Sequence, residues 1–209
     1  FGHLKGTWTV NVNGGDFAHC AEIRGTENMG VEMTSTVNIG EGACLELTGT
    51  GRMVIGHGCT FNITGTITDA KTADKTQVVP SLVINAGVSI VGSNDTYMNV
   101  NNAYVVIGSS SSKNSNAAGK FDFTFNNCIV EFTNQFTFAQ PKNNLNPVFN
   151  VTFADSVVTS ATKFCFMAPG SNVVVDNCTA DVRGYAVRFG ESSGGAGAAE
   201  IYAIKNSTL

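Results

Sequence analysis

The segment Phe121-Asp-Phe-Thr-Phe-Asn-Asn-Cys-Ile-Val-Glu-Phe132 decides the fold, because it contains two alternating strands separated by a two-residue turn. Phenylalanine occupies every second position from Phe121 to Phe125, and Cys128, Val130 and Phe132 alternate in the same way after the turn. This period of two is typical of strands that bury one face. A third short strand at 136–138 and a polar loop complete the unit.

The same unit recurs towards the C-terminus, with copies that begin at Phe149, Val173 and Glu200. One position of the two-residue turn is always an amide or a carboxylate. It carries Asn127, Asp155, Asn177 and Asn206. These residue types tolerate a left-handed backbone and bond neighbouring backbone groups, as a sharp corner requires. The pattern predicts stacked coils in which residues 127, 155 and 177 are vertical neighbours.

The N-terminal half repeats in another form. Residues Ile39–Gly49 match Ile55–Gly65, and Ile84–Gly92 is a shorter echo, with glycines that favour corners. Equivalent positions lie between 16 and about 29 residues apart, as in a solenoid with loop insertions. The polar insertions are Asp69–Pro80, Gly108–Lys120, Ala139–Pro147 and Gly190–Ala199. We expect the last three to project from one edge, and residues 1–209 to form one domain.

The in-register corners and the strand-turn-strand units resemble the pectin-lyase-like superfamily of right-handed parallel β-helices over nearly the whole chain. The resemblance implies an all-β fold with three strands per coil and about eight coils. A β-sandwich is the competing architecture. It is disfavoured by the stacked corners and by the scarcity of hairpin dipeptides, since Asn13-Gly14 is the only Asn-Gly pair.

Composition narrows the function classes. Charged residues make up 13% of the chain and the net charge is −4, so the basic stripe of a nucleic-acid-binding protein is missing. No apolar run is long enough to predict a membrane span. The six cysteines show no metal-like spacing, and we interpret them as mainly buried thiols. The chain begins at Phe1 without Met, which fits either a processed extracellular or cell-surface protein or a fragment of a larger extracellular protein.

The resemblance also implies an acidic cluster with a basic partner, as in polysaccharide lyases and hydrolases. Strand alternation places Ile129, Val157 and Thr179 in one outward row and Glu131, Thr159 and Asp181 in the next. The catalytic candidates are therefore Glu131, Asp181 and Arg183, with Asp155 nearby at a corner. Gly56-His57-Gly58 looks like the Gly-His-Gly motif of polygalacturonases. The acidic and basic partners of that motif are missing, and Glu41 stands at the matching place of Ile39–Gly49, so we do not assign His57 a role.

These observations favour a non-enzymatic extracellular or cell-surface module, adhesin-like or glycan-binding, without cofactor or metal. Tyr97, Tyr104 and Tyr185, and also Trp8, are the candidates for stacking on sugar rings. Two alternatives stay open. The first is a polysaccharide lyase or glycoside hydrolase, and the second is a structural subunit that self-associates end to end into a filament.

Overall fold

A computed structural model describes the strands, the corners between them and one long insertion. The described residues are 8–18, 35–47, 59–84, 96–108, 120–133, 136–138, 148–161, 164–166, 172–182, 187–189 and 201–208. All regular elements in these ranges are β-strands. In this part of the chain no helix has the length and apolarity needed to cross a bilayer.

Short strands of three to seven residues alternate with turns along the described chain. They are β1 (Trp8–Val12), β2 (Gly15–Ala18), β3 (Ser35–Ile39), β4 (Ala43–Leu47), β5 (Cys59–Thr64), β6 (Leu82–Ile84), β7 (Thr96–Asn101), β8 (Tyr104–Ile107), β9 (Lys120–Asn126), β10 (Ile129–Phe132), β11 (Phe136–Phe138), β12 (Val148–Ala154), β13 (Val157–Ser160), β14 (Phe164–Phe166), β15 (Asn172–Asp176), β16 (Thr179–Val182), β17 (Val187–Phe189) and β18 (Ile201–Lys205).

The strands stack in three parallel sheets. The first sheet has the order β1-β3-β5-β7-β9-β12-β15-β18, the second β16-β13-β10-β8-β6-β4-β2, and the third β11-β14-β17. All named strand pairs are parallel, with each coil of the chain lying on the previous one. The chain is therefore an all-β parallel solenoid. A third strand is described for only three successive coils.

The main core of the described residues runs along the solenoid between the sheets. Its largest fully buried side chains are Phe61, Phe123, Phe125, Phe132, Ile39 and Leu45. Phe125 stacks on Phe153 of the next coil, with ring centroids 5.1 Å apart. The alternation predicted for 123–132 is confirmed, because Phe123, Phe125, Cys128, Val130 and Phe132 are all buried.

The corners between the first and second sheets form the predicted column. Asn127, Asp155, Asn177 and Asn206 have φ angles of 51–52°, in the left-handed region. Asn102 has the same conformation, with φ 54°, and extends the column by one coil. Within the column Asn127 Nδ2 donates to Asn102 Oδ1 at 2.8 Å, and Asn177 Nδ2 donates to Asp155 Oδ1 at 2.6 Å. Left-handed geometry and side-chain bonding thus explain why these corners carry Asn or Asp.

The repeat proposed for the N-terminal half was wrong in register. Ile39 pairs with Ile63 in the first sheet, not with Ile55. Residues 43–47, which the sequence match equated with 59–63, form β4 in the second sheet. The two similar segments therefore occupy different sheets, because 16 residues are fewer than one full pass of the solenoid here. Residues 51–58, including His57, lie outside the described part of the chain.

The prediction for the cysteines is confirmed where the structure describes them. Cys44, Cys128 and Cys178 are buried, and Cys128 and Cys178 are free thiols. Burial raises the pKa of Cys128 to about 11, so its thiol stays protonated at neutral pH. The predicted edge loops at 109–119, 139–147 and 190–199 lie outside the described residues.

Candidate functional site

Residues 65–81, here called the strap, fold over the outer face of the second sheet instead of continuing directly into β6. Gly65 N donates to Asn101 O at 3.0 Å and Ile67 N donates to Asn102 O at 2.8 Å, which fixes the first turn. Ile67 and Ala70 pack on Ile129 in a small apolar cluster separate from the main core. The prediction that Ile129 faces outward is correct for its row, but the strap buries it, leaving 4% of it exposed.

The side chain of Asn127 attaches the strap to the corner column. Its Oδ1 accepts from Ala70 N at 2.8 Å, and its Nδ2 contacts the carbonyl oxygens of Ile67 and Thr68 at 3.2 and 3.1 Å. The amide therefore bonds backbone almost sixty residues earlier in the chain. Residue 127 must adopt a left-handed backbone and must also hydrogen-bond the strap. Asparagine meets both requirements.

Two lysines of the strap reach further along the solenoid. Lys71 Nζ donates to Asn177 Oδ1 at 2.6 Å, and Lys75 Nζ lies 3.4 Å from Glu131 Oε2. An open polar cavity of about 500 Å³ lies between the strap and the corners. It is lined by Thr68, Asp69, Lys71, Asn126, Asn127, Asp155 and Asn177.

The structure places the acidic candidates of the sequence analysis in separate surroundings. The predicted row is confirmed, since Glu131 pairs with Thr159 and Thr159 with Asp181. Glu131 Oε2 accepts from Tyr104 Oη at 2.8 Å and also faces Lys75, so the strap engages this carboxylate. Asp181 is exposed one strand beyond Thr159. Arg183 lies outside the described residues.

The outer face of the first sheet carries the most regular polar surface of the described chain. One row contains Thr9, Thr36, Thr60, Tyr97, Asp122, Asn150 and Asn172. The neighbouring row contains Asn11, Asn38, Asn62, Asn99, Thr124 and Thr152. We call these thirteen residues the polar face. The first row covers six strand steps, about 29 Å at the usual spacing.

A ladder of amides gives this face a fixed geometry. Asn38 donates to Asn11 at 2.8 Å, Asn62 to Asn38 at 2.9 Å, and Asn99 to Asn62 at 3.0 Å, in each case from Nδ2 to Oδ1. Asn38 and Asn62 each use one N–H and one lone pair in the ladder, and an amide has two of each. The second N–H and the second lone pair of each of these two amides take no part in the ladder.

The candidate aromatic residues have different surroundings. Tyr97 belongs to the polar face and is 39% exposed. Tyr104 is partly covered by the strap, and burial together with Glu131 raises its pKa to about 12. Tyr185 and the side chain of Trp8 lie outside the described part. The polar face was not predicted, although its signal is visible in the sequence as Thr-x-Asn at 9–11, 36–38 and 60–62 and as Tyr97-x-Asn99.

The described residues contain no group of three or more His, Cys, Asp or Glu side chains that could hold a metal ion. No family model matches the chain, and neither a curated protein nor a solved structure does so. The polar face and the strap are therefore the features from which we infer a function.

Proposed function

We propose that this chain is a non-enzymatic, adhesin-like module of the cell surface or exterior that binds an extended neutral glycan along the polar face. The observation that carries the proposal is the exposed Tyr97 in the first row of the polar face, beside the in-register asparagines of the second row. Tyrosine offers an apolar ring face and a polar tip, which suits the mixed surface of a sugar. The resemblance to pectin-lyase-like β-helices is a further argument for a polysaccharide ligand.

The periodicity of the face supports a polymer over a single sugar. Each strand step presents one residue of each row, with a spacing of about 4.8 Å. A ligand with its own short repeat can form the same contacts at successive rungs, and the rigid ladder reduces the entropy lost on binding. We therefore expect affinity to rise with oligosaccharide length until the ligand spans the rows.

The charge of the face supports a neutral ligand. Asp122 is the one carboxylate among the thirteen residues of the polar face, and none of them is Lys, Arg or His. An anionic polymer such as a polyuronate would find no basic side chain among these thirteen residues. Binding should therefore depend only weakly on salt.

The test is calorimetry with length series of soluble neutral oligosaccharides, such as glucan, xylan, mannan and chitin fragments. Tyr97→Ala should weaken binding about tenfold, roughly the 1.4 kcal/mol of a lost ring contact. Tyr97→Phe should retain most of the affinity. Val79→Ala is the matched control, because Val79 is a 61% exposed apolar residue on the strap. Absence of binding to every series, or an unchanged affinity in Tyr97→Ala, would remove the proposal.

We also propose the handedness of the solenoid, the number of strands per coil and the number of coils. A right-handed coil of three strands, repeated about eight times, is supported by eight strands in the first sheet and by the right-handedness of parallel crossovers in general. A crystal structure of the chain would test it directly. Coils with only two strands at the N-terminal end would contradict the three-strand description.

A further inference from the structure

Three side chains from distant parts of the sequence meet in the cavity beneath the strap. Lys71 Nζ donates to Asn177 Oδ1 at 2.6 Å across a separation of 106 residues. Asn177 Nδ2 in turn donates to Asp155 Oδ1 at 2.6 Å. Two successive hydrogen bonds thus link the amine of Lys71, the carboxamide of Asn177 and the carboxylate of Asp155. We propose that Lys71 and Asn177 react to form an intramolecular amide that fastens the strap covalently to the corner column.

The fold supplies the proximity that this reaction needs. Amines and carboxamides react very slowly when they meet by diffusion, but well-oriented intramolecular partners reach effective concentrations of about 10⁵–10⁸ M. Hydrogen bonds hold the backbone at or next to both residues of the pair. Asn177 has a φ of 51° and its backbone N donates to Lys205 O at 3.0 Å, while Ala70, next to Lys71, is bound by Asn127.

The chemical step balances without an external reagent. The free amine of Lys71 attacks Cγ of Asn177, the new C–N bond forms, and the Cγ–Nδ2 bond breaks. Asp155, already bonded to Nδ2, takes a proton from the attacking nitrogen and returns it to the departing one. Ammonia leaves through the open side of the cavity, and the product is a secondary amide. The attacking nitrogen must carry a free lone pair, as in any attack by an amine.

The other side-chain contacts of the strap lack either the lysine amine or the carboxamide that the reaction requires. Lys75 faces the carboxylate of Glu131, which has no amine leaving group. Asn127 accepts a backbone N–H from the strap and not a lysine amine. The reaction is therefore specific to the pair Lys71 and Asn177, and it is independent of glycan binding on the opposite sheet.

The test is intact mass spectrometry of the purified chain during incubation at mildly alkaline pH. We expect a loss of one ammonia, followed by recovery after proteolysis of a branched peptide that joins the strap to the segment containing Asn177. Lys71→Arg retains the charge and the donor but should abolish the branched peptide. Asp155→Asn retains a residue that tolerates the left-handed corner and should slow the reaction at least about a hundredfold. Lys75→Arg should react like the wild type.

One competing reaction must be separated from the proposed one. Asn13 precedes Gly14, and an Asn-Gly pair can also lose ammonia by attack of the following backbone nitrogen. The variant Asn13→Gln removes that route and should leave the branched peptide unchanged. The proposal is overturned if the wild type retains its full mass after prolonged incubation, or if ammonia loss maps to Asn13 alone. An unchanged rate in Asp155→Asn would refute the proton transfer through that carboxylate.

Discussion

Asn127→Ala is the substitution that best separates the two roles of a corner residue. Alanine must adopt the φ of 52° that Asn127 has, which costs about 1 kcal/mol by the left-handed penalty of a residue with a Cβ. The change also removes two 2.8 Å hydrogen bonds, one from Ala70 N and one to Asn102 Oδ1. At about 1 kcal/mol each, the expected loss in the free energy of unfolding is about 3 kcal/mol in total.

Two further substitutions separate the cost of the left-handed backbone from the cost of the lost hydrogen bonds. Asn127→Gly adopts the positive φ without strain and should cost about 2 kcal/mol, the hydrogen-bonding part alone. Asn206→Ala is the matched corner, with a φ of 51° but one exposed bond of 3.1 Å to Asp176, and should cost about 1.5 kcal/mol.

Urea denaturation followed by circular dichroism measures the free energies, and hydrogen exchange measures whether the amide of Ala70 loses protection. The reasoning fails if Asn127→Ala and Asn206→Ala are equally mild. It also fails if glycine at 127 is as destabilising as alanine.

Two more predictions concern close packing and pH. Gly65→Ala would place a Cβ against Asn102 O and 2.6 Å from Ala103 Cα, so it should destabilise by about 3 kcal/mol. Gly40→Ala meets only contacts of 3.6 Å or more and should change the urea midpoint little. The raised pKa of Tyr104 contributes stability that is complete below pH 10 and lost as the pH rises to about 12. The stability difference between the wild type and Tyr104→Phe should therefore shrink across that interval, and a constant difference in urea titrations would contradict this assignment.

The C-terminal corners could be predicted because one residue performs a local task there. A left-handed φ selects Asn or Asp whatever lies around it, so Asn127, Asp155 and Asn177 are visible in the sequence. Strand alternation then sets the register of the following rows, including Glu131 beside Thr159. Asn102 was missed although Asn101-Asn102 precedes its strand just as Asn126-Asn127 does.

The strap and the polar face could not be derived in the same way. The contacts of the strap with Asn127 and Asn177 cross 57 and 106 residues, and no periodic signal marks such contacts. The register of the N-terminal half failed because glycine-rich corners occur at more than one position of a coil, so similar sequences fell on different sheets. Without that register, Thr-x-Asn at 36–38 and 60–62 could not be recognised as one surface.

The strap also changes how the molecule should come apart. In a simple solenoid each repeat touches only its neighbours, and unfolding can begin at either end and advance coil by coil. The strap lies between β5 and β6 in the sequence, yet it is held by Asn127, which precedes β10, and by Asn177, which precedes β16. The strap therefore connects coils that are not adjacent in the stack. Unfolding that starts beyond Asn177 should therefore stop where the strap is attached, and the coils that the strap covers should unfold as a single cooperative block.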